Sequence, residues 1–396
     1  MSIADSLRAE IGGRTPAFHK LLPIVDPEGV PGEDFLEEVR GILASKQLTN
    51  GAYVRKFEEA AAAYLGVAHC VAVSSCTAGL LLVLKALDLR GEVILPSFTF
   101  HATAHAVVWN GLTPVFADCD AKSFCVAPQE VRAQVSSRTA AILAVHLFGN
   151  PAAVNKLDEI AAELQIPLIF DAAHAFGSSS HGKRVGGFGT AEVFSFSPTK
   201  LVVAGEGGLV TTRDAELAAK LRAARNYGDA GNYDPEIVGV NARMSEINAA
   251  MAVHGLAGLQ ARIERRNEIR SGYERKLRDV AGLRFQEISE GGRSTFKDFS
   301  VIVDEKEFGH SRDWLVELLH RENIGARKYF SPPVHRQKLY SAMWDGRALP
   351  LTDLISAGVV SLPIYSSLTD ESVDKVCEVI RRAERIENSK WATGAD

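Results

Sequence analysis

With 396 residues, 46% of them hydrophobic and 23% charged, the chain has the composition of a globular protein long enough for two packed units. A net charge of -5 with no basic run argues against a nucleic-acid surface, and no apolar stretch reaches membrane-spanning length. The five cysteines, Cys70, Cys76, Cys119, Cys125 and Cys377, form neither a C-x-x-C pair nor a zinc-ligand spacing, and the N-terminus MSIADSLRAEIGGRT lacks a signal-peptide core, so reduced thiols and a cytoplasmic location are expected.

Strand-like runs follow one another from Val67 onward: His69–Val73, Glu92–Leu95, Pro114–Ala117, Ala140–His146, Ile166–Phe170, Val193–Phe196 and Gly208–Thr212. They are rich in Val, Ile, Leu and Phe without strict polar alternation, the pattern of strands buried on both faces of a mainly parallel α/β sheet. Between them, Thr77–Leu89 and Pro151–Leu164 carry helical spacing. Glu246–Leu277 reads as one long helical region, with Gly255 and Gly258 as possible breaks. Beyond Gly282, an alternating stretch at Thr295–Val303 and helices near Arg312–Glu322 and Asp370–Glu384 predict a smaller α+β unit, with Glu290–Ser294 as a surface loop or hairpin tip. The division is placed between residues 255 and 256, the N-terminal segment going with the larger unit.

Four segments lie at predicted strand ends, where open α/β sheets gather ligands. In VAVSSCTAGLLLVLKAL, small hydroxyl residues open a helix, which is either a simple cap or an anion site built from free N–H groups. In IPLIFDAAHAFG, Asp171 emerges from an apolar strand and needs a cationic or hydrogen-bonding partner; a protonated pyridine nitrogen, a metal or a helix terminus are all open. In EVFSFSPTKLVVAGEGGLVTT, Lys200 sits between an apolar strand and a glycine run; a lysine in a partly dry site is suited to imine formation, with Ser195 and Ser197 as phosphate donors beside it. In LPSFTFHATAHAV, Phe98 and Phe100 serve either the core or the face of a planar ring.

Together and in this order, the blocks PSFTF, PVFADCD, VHLFGNP, DAAHAFG, SFSPTK, GEGG and NARMSEINAA resemble the DegT/DnrJ/EryC1/StrS sugar-aminotransferase family, of the aspartate-aminotransferase fold type. The resemblance runs from about Leu48 to the stretch at Ser361. It implies fold type I with a seven-stranded sheet, the larger unit binding pyridoxal 5'-phosphate. It also implies an amino group moving from glutamate to a nucleotide-linked keto-sugar, foremost a dTDP-4-keto-6-deoxyhexose. By the same resemblance Lys200 forms the internal aldimine, Asp171 holds the pyridinium nitrogen and Phe100 stacks on the ring. Cys76, Thr77 and Ser195 meet the phosphate, and His174 stands near the phenolic oxygen. Asn241 reaches the phosphate of a neighbouring subunit, which implies a homodimer with shared sites. In ARKYFSPPVHRQ, Tyr329 and His335 face the sugar. Two positions depart from the family pattern: Cys76 replaces a common glycine, and the YFSPPVH loop is longer than usual.

Other readings weigh less. His101 and His105 have metal-pair spacing, but no acidic residue completes an H-E-x-x-H arrangement. GEGG precedes a strand rather than a helix, so it is no dinucleotide fingerprint. A keto-sugar dehydratase of this fold carries histidine where Lys200 stands. Retention of Lys200, Asp171 and Ser195 opposes a cofactor-free binding or regulatory protein. A 3-keto isomer or a cyclitol remains a competing substrate.

Overall fold

The computed structural model describes residues 15–29 and 32–384. Helices α1 (Asp34–Ser45) and α2 (Ala52–Leu65) precede β1 (His69–Val73), α3 (Cys76–Ala86), β2 (Glu92–Pro96) and α4 (His101–Trp109). Then come β3 (Thr113–Ala117), β4 (Thr139–Val145), α5 (Val154–Leu164), β5 (Leu168–Asp171), β6 (Ala191–Ser195), β7 (Gly208–Thr212), α6 (Ala215–Ala224), α7 (Glu246–Leu256) and α8 (Leu259–Leu277). The seven strands form one sheet in the order β1-β7-β6-β5-β4-β2-β3. Only β7 runs against the others, pairing antiparallel with both β1 and β6.

This sheet is covered on both sides, which is why its strands lack polar alternation. Val71 and Val73 of β1 join the core formed with α3, α4 and α6, while Cys70 and Ala72 face α2 and α7. All seven expected strands occur, with ends displaced by up to about two residues. Ser75 caps α3, its Oγ accepting from the Ala78 N–H at 3.1 Å. The long helical region is two helices. Ala257 is extended and Gly258 takes φ +69°, so the chain turns between Leu256 and Leu259.

A second, three-stranded antiparallel sheet holds β8 (Leu283–Phe285), β9 (Phe299–Val303) and β10 (Val359–Leu362) in the order β8-β9-β10. Helices α9 (Arg312–Arg321), α10 (Pro350–Gly358) and α11 (Asp370–Glu384) accompany it. Tyr273 and Leu277 of α8 meet Leu315 and Leu319 of α9 and Val376 and Ile380 of α11 in its core. The apolar positions of α11, Val373, Val376, Cys377 and Ile380, follow the i, i+3, i+4, i+7 rule that makes a helix one-sided.

Three local expectations change. Residues 295–298 do not extend β9 but cross to the larger unit: the Lys297 N–H donates to the Phe148 carbonyl at 3.0 Å, and Thr295 Oγ1 donates to the His174 carbonyl at 2.8 Å. Side-chain alternation alone cannot tell such a crossing from a strand. Gly292–Arg293 is paired with Ser179–Ser180 instead of forming a free tip. Residues 17–22, grouped above with the larger unit, bond to the smaller one, while residues 1–14 lie outside the described residues: the N–H groups of Phe18 and Leu22 donate to Glu322 and Asn323 carbonyls at 3.3 and 2.8 Å. Ala17, Phe18 and Leu22 pack there as well.

Candidate active site

Sheet direction collects the site. Because β1, β5 and β6 run the same way, their carboxyl ends meet at one edge, where β7 begins. Val73 and Ser195 both pair with Gly208 across that edge. A Cβ on Gly208 would sit 2.6 Å from the Cys76 nitrogen, so only glycine lets the α3 N-terminus approach this closely. The first-turn amides at Cys76 and Thr77 have no intrahelical acceptor and open toward a cavity of about 300 Å³. Ser195, Ser197, Thr199 and Lys200 line the same cavity, with Asp171, His174, Phe100 and Tyr329.

Lys200 is set by its neighbours in sequence. Leu201, Val202, Val203 and Ala204 are all buried, and the turn is closed by Ala204 N–H to the Phe196 carbonyl at 2.8 Å and Phe196 N–H to the Gly207 carbonyl at 2.9 Å. Burial, aided by the positive Lys297 nearby, lowers the Lys200 amine from 10.5 to about 8. Asp171 is buried at the end of β5, where Thr103 Oγ1 donates to Oδ2 at 2.8 Å and the Ala173 N–H to Oδ1 at 3.1 Å. Burial raises its carboxyl even so, and a cation beside it would return it to the ionised form. Cys76 Sγ lies 3.7 Å from Asp171 Oδ1, its thiol pushed well above 9.0 by burial and that carboxylate.

The His174 ring is also electrically silent: burial, with Lys200 and Lys297 nearby, holds it well below 6.5. Its Nδ1 accepts the Phe148 N–H at 3.2 Å, leaving Nε2 to carry the proton. Phe330 stacks beside it, rings 6.4 Å apart at 11°. Phe100, the residue before α4, is 47% exposed on the cavity rim. These groups fit pyridoxal phosphate end to end: a helix N-terminus and serines for the phosphate, a buried carboxylate for the ring nitrogen, a bare aromatic face, and an amine for the aldehyde.

Residues 31–381 match the sequence model of the DegT/DnrJ/EryC1/StrS aminotransferase family. The solved structure of DesI, in the presence of its TDP-sugar product, superposes with a TM-score of 0.90 at 39% identity, covering 95% of this chain and 96% of that one. The dTDP-4-amino-4,6-dideoxy-D-glucose transaminase of Escherichia coli is 32% identical over 91% of this chain and 98% of its own. A dTDP-3-amino-3,6-dideoxy-alpha-D-galactopyranose transaminase of Aneurinibacillus thermoaerophilus is 33% identical over 88% and 95%. The chain belongs to this family. It is a pyridoxal-phosphate-dependent aminotransferase of fold type I.

Two of the residues expected in the aminotransferase's site lie off this cavity. Asn241 is exposed, pairs with Asn226, and is absent from the cavity wall of its own chain. His335 is fully buried in a short helical turn, Val334–Arg336, that points it inward. Its Nδ1 lies 2.6 Å from Ser97 Oγ and its Nε2 3.1 Å from Asp353 Oδ1. Among the described residues no three His, Cys, Asp or Glu side chains gather for a metal; His105 Nδ1 contacts the Tyr340 hydroxyl instead. His146 is likewise internal, its Nε2 3.2 Å from Glu192 Oε2. Sequence reasoning missed Thr103, hidden between two conspicuous histidines, and the buried pair Lys297–Asp298, which lines the cavity from the smaller unit.

Proposed function

We propose that this aminotransferase moves an amino group from glutamate to a nucleotide-linked keto-sugar, foremost a dTDP-4-keto-6-deoxyhexose. The carrying observation is a buried Lys200, its amine lowered to about 8, sharing one cavity with a buried carboxylate and an open helix N-terminus. Relatives that act on dTDP-linked amino sugars along nearly their whole length support the sugar assignment. The 3-keto isomer is the second reading, because the 3-amino transaminase is matched about as well as the 4-amino one.

Bound pyridoxal phosphate supplies the electron sink and the carbon that takes up and returns nitrogen. Lys200 would hold it through Nζ, and that amine, when free, would be the group that moves the donor carbon's proton, as general base and then acid. With a value of about 8, roughly a tenth of that amine is neutral at pH 7, against well under a thousandth for an ordinary lysine, and a base must be neutral. Asp171 keeps the ring nitrogen charged, and Thr103 fixes the carboxylate's orientation. His174 donates from Nε2 without adding charge. Tyr329 forms part of the wall a sugar would meet, while His335 acts behind it by holding residues 334–336 to Ser97.

The working unit is a cytoplasmic homodimer. Exposed Val238 and Val240 beside Asn241 favour a subunit contact there, which would bring Asn241 to the neighbour's phosphate site. The test is a panel of 3-keto and 4-keto sugars on dTDP and UDP, each with glutamate, the product read by mass and NMR. An amine at carbon 4 of a dTDP-linked 6-deoxy sugar is expected. Amination of free sugars or cyclitols alone contradicts the proposal.

A further inference from the structure

Lys297 and Asp298 are only 7% and 6% exposed, yet both line the cavity beside Lys200. The Lys297 ammonium contacts both carboxylate oxygens of its neighbour, at 2.8 and 3.0 Å, and stands 5.6 Å from the Tyr329 ring centroid. Their backbone is fixed from two sides. The Lys297 N–H donates to the Phe148 carbonyl at 3.0 Å, and the wholly buried Arg266 donates to the Phe296 and Lys297 carbonyls at 3.1 and 3.2 Å. Arg266 is itself held by Glu28 at 3.0 Å. A buried ion pair is a costly arrangement, and a plain structural role would be served as well by apolar residues.

Counting donors and acceptors shows what the pair can offer. An ammonium has three N–H groups, two of which Asp298 occupies; the carboxylate has about four acceptor positions, of which Lys297 uses two. One strong donor and adjacent acceptors therefore remain at the cavity wall, with no net charge. A hydroxyl, which both gives and accepts, matches that set. A carboxylate would meet the one free donor but also the repelling oxygens of Asp298. We propose that Lys297 and Asp298 together recognise a sugar hydroxyl on the carbon next to the one being aminated, making the pair a specificity determinant for the acceptor and not a site for the donor's carboxylate. This rests on the keto-sugar reading above and deepens it. It also accounts for a single cavity serving a charged amino acid and an uncharged ring in turn: the neutral pair holds the ring and is indifferent to the acid.

The experiment titrates the cofactor-loaded enzyme by calorimetry with dTDP-4-amino-4,6-dideoxy-D-glucose and with the same compound lacking the carbon-3 hydroxyl. The unaltered enzyme is expected to bind the hydroxyl-bearing sugar about 10–100-fold more tightly, the range for a hydrogen bond to charged groups. In Lys297→Met/Asp298→Leu, which leaves no buried charge unpaired and so should fold, that preference should vanish while the deoxy compound binds as before. The unreactive donor analogue 2-methylglutamate, followed by absorbance, should keep its affinity. Equal binding of the two sugars by the unaltered enzyme overturns the inference and leaves amino transfer intact. A loss confined to 2-methylglutamate assigns the pair to the donor and also overturns it. Failure of the unaltered enzyme to bind either sugar defeats the sugar reading and this inference with it.

Discussion

Replacing Lys200 with methionine should abolish amino transfer and yet stabilise the cofactor-free protein. The fall of the Lys200 amine from 10.5 to about 8 is the free energy by which the folded site disfavours the ammonium. At about 1.4 kcal/mol per pH unit it amounts to roughly 3 kcal/mol, or about 2–3 kcal/mol after screening by water in an open cavity. Its sign follows from proton counting. Between about pH 8 and 10.5 the unfolded chain holds a proton at this lysine that the folded chain has lost, so wild-type stability rises with pH across that window. Methionine has no such dependence. The advantage of Lys200→Met should therefore be complete below about pH 8 and gone above about 10.5. Urea unfolding of both cofactor-stripped proteins at pH 7 and again near the upper limit measures it. An equal gain at both pH values, or a loss at pH 7, would refute the electrostatic reasoning.

Asp171→Asn removes the charge proposed to face the ring nitrogen while keeping the Thr103 and Ala173 contacts possible, and should lower kcat by about 10²–10³-fold, comparable to losing one electrostatic stabiliser. Steady-state rates and a circular-dichroism melt together separate that effect from unfolding. Phe100→Ala removes an aromatic face that is 47% exposed without the cofactor and should weaken cofactor retention by about threefold to tenfold, read by equilibrium dialysis. Arg266→Met removes the guanidinium from buried Glu28, leaving it the Ser366 N–H and hydroxyl, and should cost about 3 kcal/mol, with much of it recovered in Arg266→Met/Glu28→Gln; denaturant titration checks both.

The large sheet was legible because its strands are buried on both faces, which makes each an unbroken apolar run with an obvious end. Those ends carry Asp171, Ser195 and the Ser75–Cys76 turn, so this part of the cavity wall could be read along with the fold. The fold of the smaller unit was readable where α11 is strongly one-sided and unreadable at residues 295–298, whose alternation imitates a strand while the backbone crosses to Phe148. His335 misled for a related reason: Val334 turns into the core and carries the histidine with it, a packing outcome that spacing does not encode. Lys297 and Asp298 gave no signal at all, since adjacent opposite charges are ordinary on a surface and only tertiary burial makes them unusual.

Borohydride reduction of the cofactor-loaded enzyme, followed by peptide mass spectrometry, is the most direct test of where the cofactor attaches. The added phosphopyridoxyl mass should fall on the peptide containing Lys200 and be absent from every other lysine, including Lys297 in the same cavity wall. Stoichiometric label on Lys297 or elsewhere, with Lys200 unmodified, would contradict the account.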